Sequence, residues 1–127
     1  MILEHAVKTS NAIAVRDILK TASLDVMDET DFNGRTPLML ACFRGNLDVI
    51  KLLIKGGAGT HSRDRWGKTA LMYAVQRGHV EVVKMLLKIH ADASARDNDN
   101  RIVEGFARPG TLTFDTIVEL LRNAQQE

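Results

Sequence analysis

The stretch Asp31-Phe32-Asn33-Gly34-Arg35-Thr36-Pro37-Leu38-Met39-Leu40-Ala41 decides how this chain reads. It returns 33 residues later as Asp64-Arg65-Trp66-Gly67-Lys68-Thr69-Ala70-Leu71-Met72-Tyr73-Ala74. Laid over each other, residues 31–63 and 64–96 coincide at 14 of 33 positions, and the identities run on through Gly45 with Gly78, Val49 with Val82, Leu53 with Leu86 and Ala58 with Ala91. Self-similarity at a fixed period of this size marks a stack of short supersecondary units, each burying its apolar face only against its neighbours.

The flanks carry the same unit more faintly. A step of 35 back pairs Leu3 with Leu38, Ala6 with Ala41, Asn11 with Asn46 and Val15 with Ile50. A step of 33 forward reaches Asp97 and Ala107, while a step of 34 is predicted to pair Val83, Leu86 and Leu87 with Ile117, Leu120 and Leu121. Four units, at about 1–30, 31–63, 64–96 and 97–127, then make one domain of 1–127. The degenerate outer two act as caps, since an end unit has one neighbour and one wet side.

Each central unit reads as a turn and two short helices. Asp31-Phe32-Asn33-Gly34 is a turn, Thr36 caps a first helix and Pro37 sits at its first position, where a missing N–H costs nothing. Leu38, Ala41 and Cys42 follow helical spacing up to about Arg44, and Gly45 stops the helix. A second helix follows with Asp48 near its positive end, buries Val49, Ile50, Leu52, Leu53 and Ile54, and ends at Gly57. The next unit repeats the scheme over Thr69 to Arg77 and Val80 to Lys88. Helices this short are marginal alone, so stacking must hold them.

Composition narrows the function classes. With 45% apolar and 26% charged residues the 127-residue chain is ordinary globular protein, and 17 Lys and Arg against 16 Asp and Glu leave a net charge of +1. Bulk charge therefore favours no polyanionic partner, and a basic surface must come from arrangement. Met1-Ile2-Leu3-Glu4-His5 lacks the pattern of a secretory signal and the single Cys42 has no partner within the chain, which points to an intracellular site, cytoplasmic or nuclear. No apolar run approaches the roughly 18 residues that cross a bilayer.

The candidate chemistry thins out on inspection. Gly56-Gly57-Ala58-Gly59 follows a helix instead of opening one, so it reads as a helix-ending turn and not a phosphate loop. Val75 stands at the register of Cys42, which marks a core thiol. His5, His61, His79 and His90 share no metal-ligand spacing, and Asp31, Asp64 and Asp97 recur with the period as turn formers. Neither a catalytic set nor a cofactor or metal site is predicted, so the chain reads as a non-enzyme.

The recurring motif resembles the ankyrin repeat. Asp31-x-x-Gly34-x-Thr36-Pro37-Leu38 with Ala41, Gly45-Asn46, Leu52-Leu53 and Gly57-Ala58 matches that family's pattern, and Asp64-x-x-Gly67-x-Thr69-Ala70-Leu71, Ala74, Gly78-His79, Leu86-Leu87 and Ala91-Asp92 matches it again. The resemblance implies an all-α solenoid of stacked helix pairs joined by projecting hairpin loops, whose work is protein binding. Met39 and Met72 depart from it, standing where the family usually has an inter-repeat histidine, so packing is expected to replace that polar network. His90 replaces the helix-ending glycine, at a position needing a left-handed backbone. Ile102-Val103-Glu104-Gly105 stands where a Thr-Pro-Leu-His type sequence belongs, and Arg108-Pro109-Gly110 interrupts the first helix of the last unit.

By the same resemblance, the variable exposed positions lie on the turn and the exposed side of the first helix. In unit two these are Phe32, Asn33, Arg35, Leu40, Phe43 and Arg44; in unit three, Arg65, Trp66, Lys68, Tyr73, Gln76 and Arg77. Unit four adds Asn98, Asp99, Arg101 and Arg108. Four of the six aromatics gather here, and aromatic side chains are frequent interface anchors. Phe32, Phe43 and Tyr73 either pack between units or face a partner, whereas Trp66 at a turn tip has little core to join. Seven cations also gather here, while Asp17, Asp48, Glu81, Asp115 and Glu119 fall in the second helices. Arginine pairs bidentately with carboxylates and stacks on rings, so the expected ligand is an acidic protein segment bound by a monomer on a concave, basic face. Nucleic-acid binding by the same face is the alternative, and the near-zero net charge argues against it.

Overall fold

A computed structural model describes residues 2–21 and 24–125; the expected units 1–30 and 97–127 also include residues outside these. The described helices are α1 (Ile2–Lys8), α2 (Ala12–Thr21), α3 (Pro37–Arg44), α4 (Leu47–Lys55), α5 (Ala70–Arg77), α6 (Val80–Lys88) and α7 (Phe114–Gln125), with single 3₁₀ turns at Leu24–Asp28 and Val103–Phe106. They form two layers. In the inner layer α3 lies between α1 and α5, and α5 packs on the Val103–Phe106 turn. In the outer layer α4 lies between α2 and α6, and α6 packs on α7.

Local chemistry sets the boundaries. The Thr36 hydroxyl accepts the Met39 N–H at 3.2 Å, and Thr69 does the same for Met72 at 3.4 Å, each satisfying a donor that the helix start leaves free. Gly45, with φ of 79°, ends α3 and returns its N–H to the Ala41 carbonyl. A side chain there is excluded twice, by the left-handed backbone and because an added Cβ would fall 2.6 Å from the His79 ring. His90 takes the expected left-handed conformation, with φ of 68°.

Met39 and Met72 are fully buried between the inner helices, so packing occupies the place of the family histidine. A polar link between units nevertheless exists elsewhere. The Asn46 amide donates to the Ser10 carbonyl at 3.4 Å, and the His79 Nε2 lies 3.1 Å from the Phe43 carbonyl, both reaching back 36 residues. Asn46 also caps α4 through Asp48 and Val49, a task His79 does not perform for α6.

At the end of the stack one sequence expectation is corrected and another is met. The burial pattern of α7 matches α6 at a step of 35, not 34: Ile117, Val118 and Leu121 are buried like Val82, Val83 and Leu86, while Leu120 is only half-buried. A one-residue slip turns a helix by about 100°, so the face that packs fixes the register. The first helix of the last unit shrinks to the Val103–Phe106 turn, because Pro109 and Gly110 cannot continue it. Val103 and Ala107 still fill the core positions of their register.

Candidate binding face

Three equivalent turns build the face. The Asp31 Oδ1 accepts the N–H groups of Asn33 and Arg35, Asp64 Oδ1 those of Trp66 and Lys68, and Asp97 Oδ1 those of Asp99 and Arg101, all at 2.8–2.9 Å. The recurring aspartates are therefore turn formers, as their period predicts. Burial acts to raise the Asp31 and Asp97 carboxyls, but the bonds from Arg35 and Arg101 outweigh it and hold both below the usual carboxylate value. Neighbouring turns are tied tip to tip: the Arg65 N–H donates to the Asn33 carbonyl at 2.8 Å, and the Asn98 N–H donates to the Trp66 carbonyl at 2.9 Å.

Charge pairing divides the predicted cations into two sets. The Arg35 and Arg101 Nε atoms each sit 2.8 Å from the Oδ2 of their own turn aspartate, and Arg101 also reaches Asp99 at 3.2 Å. Among the described residues no carboxylate pairs with Arg44, Arg65, Lys68 or Arg77. The outer helices, however, expose Arg16, Lys20, Lys51, Lys55, Lys84 and Lys88 as well as acids. Positive charge is thus not confined to the turn face, and cations toward the C-terminal ends of helices are what the helix dipole favours.

The predicted residues resolve into two neighbourhoods. At the turn tips Phe32 is fully exposed and Trp66 is 43% exposed, with Arg65 exposed and Asn33 half-buried beside them. Along the inner helices runs a continuous row of rings and cations. Arg77 lies 4.6 Å from the Phe43 ring, which meets Tyr73 edge-on at 6.3 Å. Lys68 Nζ lies 4.3 Å from the Tyr73 ring and 5.1 Å from Phe106, and Arg101 covers Phe106 at 5.3 Å. Gln76 accepts the Lys68 ammonium at 2.7 Å. Arg44 is exposed at the end of α3.

Two positions expected to be exposed are not. Leu40 is buried at 7% and Tyr73 at 5%, because the inner helices press against each other there; the Tyr73 hydroxyl donates to Asp64 Oδ2. Burial, and then that bond, push the phenol well above its ordinary pKa. Tyr73 shapes the face from beneath instead of offering its ring. Phe106 is not among the residues expected from the sequence, although it stands 33 residues after Tyr73 and 66 after Leu40; the broken helix around it hides the register. Arg108 adjoins the Arg77 end of the row, in a cleft of about 310 Å³ lined also by Gln76, Leu112 and Phe114.

Elsewhere the structure places the remaining candidates in bland surroundings. Cys42 is fully buried and its thiol is pushed far up by that burial. Among the described residues, no group of His, Cys, Asp and Glu gathers to hold a metal ion, and no helix is long and apolar enough to cross a membrane.

A family model for ankyrin repeats matches residues 3–97 in three copies, ending where the inner helix of the last unit fails. Among curated proteins the chain is similar to the serine/threonine-protein kinase VIK of Arabidopsis thaliana, at 38% identity over 66 residues that cover 52% of this chain and 15% of the kinase. It is also similar to delta-latroinsectotoxin-Lt1a of Latrodectus tredecimguttatus, at 41% identity over 61 residues that cover 46% of this chain and 5% of the toxin. The chain spans only a small part of either relative.

Proposed function

The chain belongs to the ankyrin-repeat family, and from that premise we propose that it is a non-catalytic, monomeric, intracellular adaptor that binds an acidic segment of a partner protein on its turn and inner-helix face. Ankyrin repeats are generally protein–protein interaction modules. The carrying observation is that Arg44, Arg65, Lys68 and Arg77 have no carboxylate partner among the described residues, on a face that also exposes the rings of Phe32, Phe43 and Trp66. A large exposed ring contributes area at small entropic cost, and an unneutralised guanidinium beside it gives a carboxylate a directed partner. The kinase and toxin matches cover too little of either protein to carry activity across.

Selection of random peptides displayed on phage tests the proposal, using the native chain and an Arg44→Glu/Arg77→Glu variant shown to fold equally. Native protein is expected to enrich peptides carrying Asp or Glu with an aromatic residue, and the variant to lose them. Enrichment of basic peptides, or an unchanged set on the variant, would sink the assignment. The same cations and Trp66 would also suit a nucleic acid; that reading predicts a steep, sequence-independent loss of oligonucleotide affinity with salt.

A further inference from the structure

The fifth position of the three turns holds a cation each time, Arg35, Lys68 and Arg101, and the first holds an aspartate. In the outer two turns cation and aspartate neutralise each other, with Nε 2.8 Å from Oδ2. The central turn breaks this rule. There the Tyr73 hydroxyl takes the Asp64 Oδ2, so the Lys68 ammonium is displaced onto Gln76 Oε1 at 2.7 Å and the faces of Tyr73 and Phe106. Only the central unit can make this exchange, because the residues at the register of Tyr73 are Leu40 and Phe106, which carry no hydroxyl.

We propose that Lys68 is the specificity-determining residue of the binding face, held out of its own turn by Tyr73 so that its ammonium receives a carboxylate of the partner segment. The inference rests on the acidic-segment reading and deepens it. Lys68 is half-buried, and burial above all lowers its pKa; Asp64 and Asp97 favour its ammonium while Arg101 and Arg35 oppose it. A cation already stripped of part of its water and lacking a direct carboxylate has more to gain from an arriving anion than a solvated lysine. Its geometry is fixed by an amide and two rings, so little side-chain entropy is lost on binding. The flanking Arg35 and Arg101 are neutralised within their turns, which leaves Lys68 as the central free charge among these three positions.

The test uses the full chain and a fluorescein-labelled peptide alternating glutamate and tyrosine, with the glutamine-for-glutamate peptide and a thymidine oligonucleotide as controls. Native protein should prefer the glutamate peptide. Lys68→Met should weaken it by about tenfold, the loss expected for one charge-assisted contact. Tyr73→Phe should weaken it similarly without touching the ammonium, because Asp64 recaptures Lys68. In the free protein, the Lys68 Cε resonance should then titrate at higher pH in Tyr73→Phe than in native chain. Undiminished glutamate preference in Lys68→Met, or an unmoved Lys68 titration in Tyr73→Phe, would overturn the role of Lys68 while leaving the acidic-segment reading standing. Failure of the native chain to prefer the glutamate peptide, or tighter binding of the oligonucleotide, would overturn both.

Discussion

Removing the Tyr73 hydroxyl is a stability experiment as well as a binding one. Asp64 is buried to 8% exposure, with Oδ1 engaged by two backbone N–H groups and Oδ2 by the phenol. Orphaning an oxygen of a buried carboxylate costs about 2–3 kcal/mol. In Tyr73→Phe the cost is partly offset, because Lys68 occupies the turn position from which Arg35 and Arg101 reach their own aspartates; a half-exposed ion pair returns about 1 kcal/mol. The expected net loss is about 1–2 kcal/mol in native background and about 2–3 kcal/mol in Lys68→Met, where no cation can swing back. Urea unfolding followed by circular dichroism at neutral pH, with the slope checked for constancy, measures both. Equal costs in the two backgrounds would show that Lys68 does not move to Asp64, and the exchange on which the central turn is built would be wrong.

Acid should erode stability in a defined window. Asp97 and Asp31 are held low by their arginines and Asp92 by the Ser94 hydroxyl and N–H. Depressed folded-state values contribute stability that is complete above the unfolded carboxyl pKa of about 3.9 and is lost as pH falls through the lower folded values. The urea midpoint should therefore hold down to about pH 4 and then fall, less steeply in Asp97→Asn. Gly67→Ala should cost more than Gly57→Ala: both glycines have positive φ, but the new Cβ meets the Asn98 backbone N at 2.8 Å in the first and open space in the second. We expect about 2 kcal/mol or more against about 1 kcal/mol by urea unfolding, and equal losses would refute the tip-to-tip contact. Cys42, buried with its thiol pKa raised, should react with Ellman's reagent only as the chain unfolds; rapid modification of the native protein would contradict its place in the core.

The repeat alone determined the architecture of the middle of this protein. A period of 33 with Asp, Gly, Thr, small Ala and paired Leu at fixed offsets dictates turn, cap, close helix approach and buried outer helix, since each depends on local backbone chemistry or helical spacing. Thr36, Gly45, Asp64 and His90 behave as that local logic requires. What tertiary structure decided lies where two units meet or where the repeat fails. Residue type does not say which side of a helix a neighbour covers, so the sequence leaves Leu40 and Tyr73 readable as exposed, and the packing of α3 on α5 buries both. The step between α6 and α7 was ambiguous by one residue because adjacent leucines fit either register until one face packed. Most of all, the sequence offers a cation at each of three turns, Arg35, Lys68 and Arg101; that the Tyr73 hydroxyl reaches Asp64 at the middle one is decided by tertiary structure, since the contact spans nine residues across a turn and a helix.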